Sequence, residues 1–407
     1  MSKVISLASA RKSALPKMRV GLLRLTDGAP IIAAHEFGFF AEEGVETELV
    51  VEPSWANIAD KLCYGLLDAA VIVPPLAFNI HLGMRGVAQH LVIPYGVSAS
   101  GNSVTLSKAL AEDVGRRSRQ DDVPPAMALS SVLKGHFVTF GVVHAYSTHN
   151  LLLRYWLETA GIKVGRDVEL AVVPPARAVE ILATGQIAGF CAGAPWGEVA
   201  RRAGVGVPVA GSNDIWQNAP EKAFAVRARW AEQWPQELSG AVRAILRGAK
   251  FCDAPENAEY TAALLSRRRY VGVDPHAILA DLPGAAGSGR GCVFYRGAAT
   301  FPWRSQGLWL LNEMRRWGLI NPALDLHGLV EEVYRPDIYR TAVMPLGESV
   351  PPVDFKIEGS HSHRWILDGS LSPIEMLPDR FCDGVLFDPE AVESRLPPTA
   401  DAVMGKS

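Results

Sequence analysis

Residues 18–75 read MRVGLLRLTDGAPIIAAHEFGFFAEEGVETELVVEPSWANIADKLCYGLLDAAVIVPP, and this stretch decides the fold. MRVGLLRL (18–25) is a short apolar run closed by the turn chemistry of TDGAP (26–30), which predicts a strand. IIAAHEFGFFAEEGV (31–45) carries a helical period that ends near Gly44. ETELVVEP (46–53) predicts a second strand, SWANIADKLCYGLL (54–67) a second helix and DAAVIVPP (68–75) a third strand. Strands alternating with helices in units of about 30 residues predict an open, mostly parallel sheet wrapped by helices.

Working outward, HLVIPYGVS (90–98) is a further strand candidate, and Gly101-Asn102 reads as a turn between strands. GRRSRQDDVPPAMALSS (115–131), charged and proline-containing, reads as a mobile surface insertion. The rhythm then restarts: HFVTFGVV (136–143) as a strand, HAYSTHNLLLRYWLETAGI (144–162) as a capped helix, DVELAVVPP (167–175) as a strand, ARAVEILATGQ (176–186) as a helix, and IAGFCAGAPW (187–196) as a strand entering a loop. Two rounds of one β-α-β-α-β grammar imply two similar α/β lobes. Open α/β sheets bind ligands at the carboxyl ends of their strands, so two facing lobes enclose a cleft. From APEKAFAVRARWAEQWPQELSGAVRAILRGAKFCD (219–253) onward the chain turns helical, and these late helices are expected to pack back onto the first lobe. The expected division is a flexible start at 1–17, a discontinuous first lobe of 18–104 with 213–407, and a second lobe of 105–212. The tail from Pro351 is irregular and polar.

A chain of 407 residues, 48% of them hydrophobic, buries a sizeable core and exceeds one ordinary domain. Its 40 Lys and Arg against 43 Asp and Glu leave a net charge of −3, without the basic field that supplies non-specific nucleic-acid affinity. Direct nucleic-acid binding is therefore not expected. Cys63, Cys191, Cys252, Cys292 and Cys382 are odd in number, widely spaced and free of any CxxC pair, which fits reduced thiols better than disulfides or a zinc site. The opening MSKVISLASARKSALPKMRV has only Val4 to Ala10 between Lys3 and Arg11, two serines among them, and does not make a secretory signal. No apolar run approaches the ~20 residues that cross a bilayer, so the expectation is a soluble, cytoplasmic protein with no membrane association.

Candidate site residues follow from the grammar. In YSTHN (146–150), Ser147 or Thr148 is a natural N-cap, and the free N–H groups of the following turn make an anion site. The plainer alternative is an ordinary cap, with His144 and His149 as satisfied loop residues. Trp55 follows a strand and opens a helix, a position that points into the cleft, where an indole can lie against a planar ligand; the alternative is a core tryptophan. Lys222, in NAPEKAFAVRARW (218–230), follows a loop and is expected to begin a helix, so its ammonium becomes a counter-charge; the alternative is a solvated surface lysine. No GxSxG, P-loop, HExxH or post-strand GxGxxG is present. His361 and His363 in HSHRW form a lone pair without companion ligands, which favours a plain loop and no metal.

Assembled, LRLTDGAPIIAAHEFGFFAEEGV, PSWANIADKLCYGLLDAAVIVPPLAF, GNSVTLS, STHNLLLRYWLETAGI, DVELAVVPPARAVEILATGQIAGFCAGAPW, PEKAFAVRARW and CDGVLFDPE resemble, in the same order, the nitrate- and bicarbonate-binding proteins of the NrtA/CmpA family. The resemblance runs from about Met18 into the tail. It implies an α/β, two-lobed periplasmic-binding-protein-like (type II) fold that closes on a small planar anion between its lobes, with no enzymatic activity and no cofactor. The family's site residues carry over to Trp55, Asn102 (where the transporters often have Gln), Thr148 or His149, and Lys222. Two departures matter. Exported members carry a lipoprotein signal that the opening residues do not resemble, which makes the chain similar to cytoplasmic nitrate/nitrite sensors of the NasS type; these hold a NasT-type RNA-binding antiterminator inactive until the anion arrives. The family also commonly reads G-E-P-W where this chain has Gly193-Ala194-Pro195-Trp196, and the missing acid is expected to favour nitrate or nitrite over bicarbonate, whose binders use an acidic cleft and calcium. The competing expectations are a substrate-binding component of a nitrate or bicarbonate ABC transporter, and an enzyme like the thiamine pyrimidine synthases, against which the scattered cysteines argue.

Overall fold

The structure, a computed structural model, describes residues 17–284 and 291–393. The expected flexible start lies outside the described residues except for Lys17, which opens the first strand.

Among the described residues, eleven strands form the two large sheets: β1 (Lys17–Leu22), β2 (Glu46–Val51), β3 (Ala69–Ile72), β4 (Leu91–Ser100), β5 (Asn102–Ser107), β6 (Val138–Val142), β7 (Val168–Val172), β8 (Gly189–Gly193), β9 (Gly206–Gly211), β10 (Pro220–Arg227) and β11 (Cys292–Val293). The first sheet runs β11-β4-β10-β3-β1-β2 and the second β7-β6-β8-β5-β9. Each is built around one parallel trio in which the first strand lies centrally, β2-β1-β3 in one and β7-β6-β8 in the other. The two rounds of strand and helix are these trios.

Both sheets are mostly parallel in strand direction but mixed in pairing. β10 is inserted antiparallel between β3 and β4, with β11 antiparallel at the edge beyond β4, and β5 is inserted antiparallel between β8 and β9, so β4 and β9 point the same way as the trios. Hydrophobic periodicity reports that a strand is buried, not which neighbour it pairs with or in which direction. The chain passes from the first sheet to the second at Gly101 and returns between Gly211 and Pro220, so β5 already belongs to the second sheet.

Three expectations need correction. Lys222 does not begin a helix; it lies on β10. That strand is central and buried on both faces, so it lacks the alternation that marks a half-exposed strand. The stretch 115–131, expected to be a mobile surface insertion, is built from parts of two helices, Lys108–Asp121 and Pro125–Val132. The first of these buries only Ala111 and Val114, and so polar a helix resembles a loop in composition. The tail is not wholly irregular, since Trp365–Leu367 pairs antiparallel with Ile374–Met376.

The late helices cover the first sheet. Helix Pro235–Asp253 lies against helix Ala29–Glu36, and the approach is so close that a Cβ on Gly248 would stand 2.1 Å from the Pro30 carbonyl oxygen. Helix Trp55–Cys63 buries Trp55, Ile58, Ala59 and Leu62 along one face, spaced for a helix on a sheet. Burial of each large apolar side chain there contributes about 1.5–3 kcal/mol, which holds the helix start, and Trp55 with it, in place.

Candidate functional site

Where the two sheets face one another, polar residues from six segments are buried together. Asp27 lies in the turn that follows β1. Trp55 opens the helix after β2, behind the Ser54 cap. Asn102 begins β5, Gly193 ends β8, and Glu221 and Lys222 lie on β10. Thr148 and His149 open helix Thr148–Thr159, whose cap is Ser147, its hydroxyl accepting from Asn150 N–H at 3.1 Å. The lobes touch directly here: Thr26 N–H donates to the Ala194 carbonyl at 2.9 Å. Trp55, Thr148 and His149 are all 1% exposed or less, and Lys222 is 2% exposed, which excludes the solvated-lysine alternative.

A regular strand sends neighbouring side chains to opposite faces. β10 does not stay regular, because Pro220 pairs with Ala99, Lys222 with Ser98 and Ala223 with Gly96, so the register slips on both sides of Lys222. A bulge of this kind re-aims a side chain. Here the Lys222 ammonium donates to Glu221 Oε1 and lies 2.8 Å from Asp27 Oδ2. Asn102 Nδ2 donates to Glu221 Oε2, and His149 Nε2 stands 3.3 Å from Glu221 Oε1. The Lys222 ammonium also lies 5.4 Å from the centre of the Trp55 ring.

Gly193 is the point on which these groups converge. A Cβ there would stand 3.2 Å from Asp27 Oδ2 and 3.5 Å from both Asn102 Oδ1 and His149 Nε2. Several polar atoms of the cluster have no hydrogen-bond partner within the protein: Trp55 Nε1, Thr148 Oγ1, both ring nitrogens of His149, and the acceptors Asn102 Oδ1 and Asp27 Oδ2. Asp27 Oδ2 has Lys222 as its ionic neighbour. A buried polar group without a partner costs about 1–3 kcal/mol, so this many in one place mark a site built for a ligand.

Charge states follow from the surroundings. Burial opposes the Lys222 charge, but Asp27 and Glu221 outweigh it and hold the ammonium above its ordinary range. Burial and the Lys222 cation push His149 well down, so its ring is neutral and its contact with Glu221 is not an ion pair. Burial raises Asp27 above the usual carboxylate range against the pull of Lys222, with Glu221 adding to the rise. Cys191 on β8 is pushed up by burial and stays a thiol. Among the described residues no group of three or more His, Cys, Asp or Glu is arranged to hold a metal ion. His361 stacks on Trp365 at 3.9 Å.

The five residues singled out from the sequence therefore lie at the same junction, Thr148 one place ahead of His149 with its hydroxyl unpartnered. Three were missed. Asp27 was concealed in TDGAP, which reads as turn chemistry, although its place just after a strand could have signalled it. Glu221 was concealed by the bulge, and Gly193 has no side chain to notice. The acid is absent at Ala194, as read from the sequence, while two others, Asp27 and Glu221, line the cleft.

Comparison with known proteins agrees with this architecture. Residues 11–266 match the model of the NMT1-like family. A nitrate/nitrite binding protein NrtA of Nostoc sp. (strain PCC 7120) is 30% identical over 407 residues, covering 96% of this chain and 87% of that protein. A nitrate import ATP-binding protein NrtC of Synechocystis sp. (strain PCC 6803) is 33% identical over 367 residues, and a bicarbonate transport ATP-binding protein CmpC of Synechococcus elongatus (strain PCC 7942) is 34% identical over 335. The matches cover 52% and 50% of those two proteins, so the chain spans about half their length. These relatives are named as binding and transport proteins, not as enzymes. The crystal structure of the periplasmic nitrate-binding protein NrtA from Synechocystis PCC 6803 superposes with a TM-score of 0.80 at 26% identity, over 92% of this chain and 96% of that one. The alkanesulfonate-binding protein SsuA from Xanthomonas axonopodis pv. citri shares the fold at a TM-score of 0.54 and 14% identity, over 81% of this chain and 99% of that one. The chain belongs to the NMT1-like family and, within it, to the two-lobed binding proteins of NrtA/CmpA type.

Proposed function

We propose that this protein binds nitrate or nitrite between its lobes and works in the cytoplasm as a sensor, holding a NasT-type RNA-binding antiterminator inactive and releasing it when the anion is bound. The observation that carries the anion reading is the meeting, out of water, of one ammonium with unpartnered donors from both lobes: Lys222 and Trp55 from the first, Thr148 and His149 from the second. The N–H groups of the first turn of helix Thr148–Thr159 and its dipole add to them. Nitrate is planar, monovalent and a weak acceptor, which suits one charge and several neutral donors against an indole. A charge-assisted hydrogen bond contributes about 1.5–3 kcal/mol and a neutral one about 0.5–1.5, so four or five reach roughly the 8 kcal/mol of micromolar binding. Donors on both lobes favour the closed arrangement when the anion is bound.

Titration calorimetry with nitrate, nitrite, bicarbonate and an alkanesulfonate tests the anion reading. Heat and a raised melting temperature with nitrate or nitrite support it, and a protein indifferent to all four anions overturns it.

The sensor role is supported by the resemblance, and the cytoplasmic placement by relatives named as ATP-binding proteins, since ATP is available on the cytoplasmic side. A second reading, the substrate-binding component of an importer, is supported by the NrtA match over 96% of the chain. Co-purification with a NasT-type antiterminator, with and without millimolar nitrate, separates them. A complex that nitrate dissolves supports the sensor, whereas the absence of any complex, or one indifferent to nitrate, favours the importer.

A further inference from the structure

We infer that the pocket takes up one proton together with nitrate or nitrite, and that Asp27 is the residue that carries it. This rests on the anion reading above and adds what accompanies the anion.

The pocket holds two carboxylates, Asp27 and Glu221, against one ammonium, Lys222, all at most 3% exposed. With His149 neutral and both carboxylates ionised, the cluster is already one charge negative. Glu221 is well supplied with donors, from Lys222 and Asn102. Asp27 has Lys222 alone: its Oδ2 lies 2.8 Å from the ammonium and reaches the place beside Gly193 where the donors converge, 3.2 Å from where a Cβ would stand. Nitrate has no hydrogen and can only accept, so one of its oxygens placed there would meet an ionised carboxylate oxygen. With a proton on Asp27 the same contact becomes an O–H donated to the anion. The balance is simple: carboxylate, a proton from solvent and nitrate give a carboxylic acid hydrogen-bonded to nitrate, with no redox change. Bicarbonate carries its own O–H, which it can donate to an ionised Asp27, and so needs no proton from solvent.

Every other titratable group facing Asp27 argues against a different seat. From β10, Lys222 is held charged and Glu221 is occupied by its donors. From the helix opened by Thr148, His149 is driven neutral by burial and by Lys222. From β11, burial keeps Cys292 a thiol, and Asp281 behind it adds negative charge. Burial already inclines Asp27 to take a proton.

The test is titration of the whole chain with nitrate, in the presence of a metal chelator, in buffers of equal pH and different ionisation enthalpy, and again across pH 6 to 9. The expected result is a net proton uptake for nitrate and none for bicarbonate, with nitrate affinity falling as pH rises, toward tenfold per pH unit once free Asp27 ionises. D27N, which offers an N–H without charge, should bind nitrate with no proton uptake and with an affinity indifferent to pH. Nitrate bound tightly by the wild type without proton uptake overturns the inference and leaves the anion reading intact. A pH slope that survives in D27N moves the proton to His149 and overturns the assignment, as does loss of nitrate binding when the chelator is added. No binding of any anion overturns the anion reading, and this inference with it.

Discussion

The indole N–H of Trp196, at the start of a helix on the second sheet, donates across the cleft to the carbonyl of Arg24, just beyond the first strand, at 3.1 Å. With the Thr26 to Ala194 bond beside it, this is a direct tie between the lobes. Trp196 is not among the groups gathered around Gly193, so it acts on the anion only through closure. Trp196→Phe removes one neutral hydrogen bond, about 0.5–1.5 kcal/mol, and should weaken nitrate binding roughly two- to tenfold, chiefly through faster release. Stopped-flow dissociation measures this, and an unchanged rate would show that the tie does not govern opening.

Gly193→Ala is a sharper probe, because it places a methyl group where the ligand is proposed to sit. The new carbon would meet the ends of Asp27, Asn102 and His149 at 3.2–3.5 Å, all movable side chains rather than backbone. The fold should tolerate it, with a melting temperature close to wild type, while nitrate affinity drops at least about tenfold. An alanine variant that binds nitrate normally would place the ligand elsewhere.

Lys222→Met keeps the aliphatic length and deletes the charge. It leaves Asp27 and Glu221 facing each other in a buried pocket, and removal of one partner from a buried ionic cluster costs about 3–5 kcal/mol. The variant should therefore melt earlier and weaken nitrate binding by roughly ten- to a hundredfold. Calorimetry showing near-native affinity would remove Lys222 from the site.

What could be read in the sequence divides along a physical line. Helix starts announce themselves locally: Ser54 before Trp55 and Ser147 before Thr148 are capping residues that follow strands, so these side chains could be assigned to strand ends facing a cleft. The rhythm of the two parallel trios was legible for the same reason, because each strand and helix carries its own period. Pairing is not local. The antiparallel strands β5 and β10, each inserted next to a parallel trio, depend on partners far along the chain, and so does the bulge that turns both Glu221 and Lys222 into the pocket. The charge balance of the site was misjudged in consequence, since Asp27 meets Lys222 only in three dimensions.

The acid limb of stability gives a last prediction. His144, in the loop before helix Thr148–Thr159, accepts Tyr146 N–H on Nδ1 at 3.0 Å, and its burial and the nearby Arg85 push it from 6.5 down to about 4. The unfolded chain protonates this ring near 6.5 and the folded one only near 4, so between those values the unfolded state binds more protons. Stability from this group is complete above about 6.5 and is lost as pH falls toward 4, by at most about 3 kcal/mol. His149, also depressed, acts in the same direction. Carboxylates contribute to the acid limb as well, but equally in a variant that alters only His144. His144→Asn retains an acceptor for Tyr146 and cannot titrate, so its melting temperature should fall less steeply than the wild type's between pH 6.5 and 4. Parallel curves would mean that the His144 ring is not held neutral by the fold.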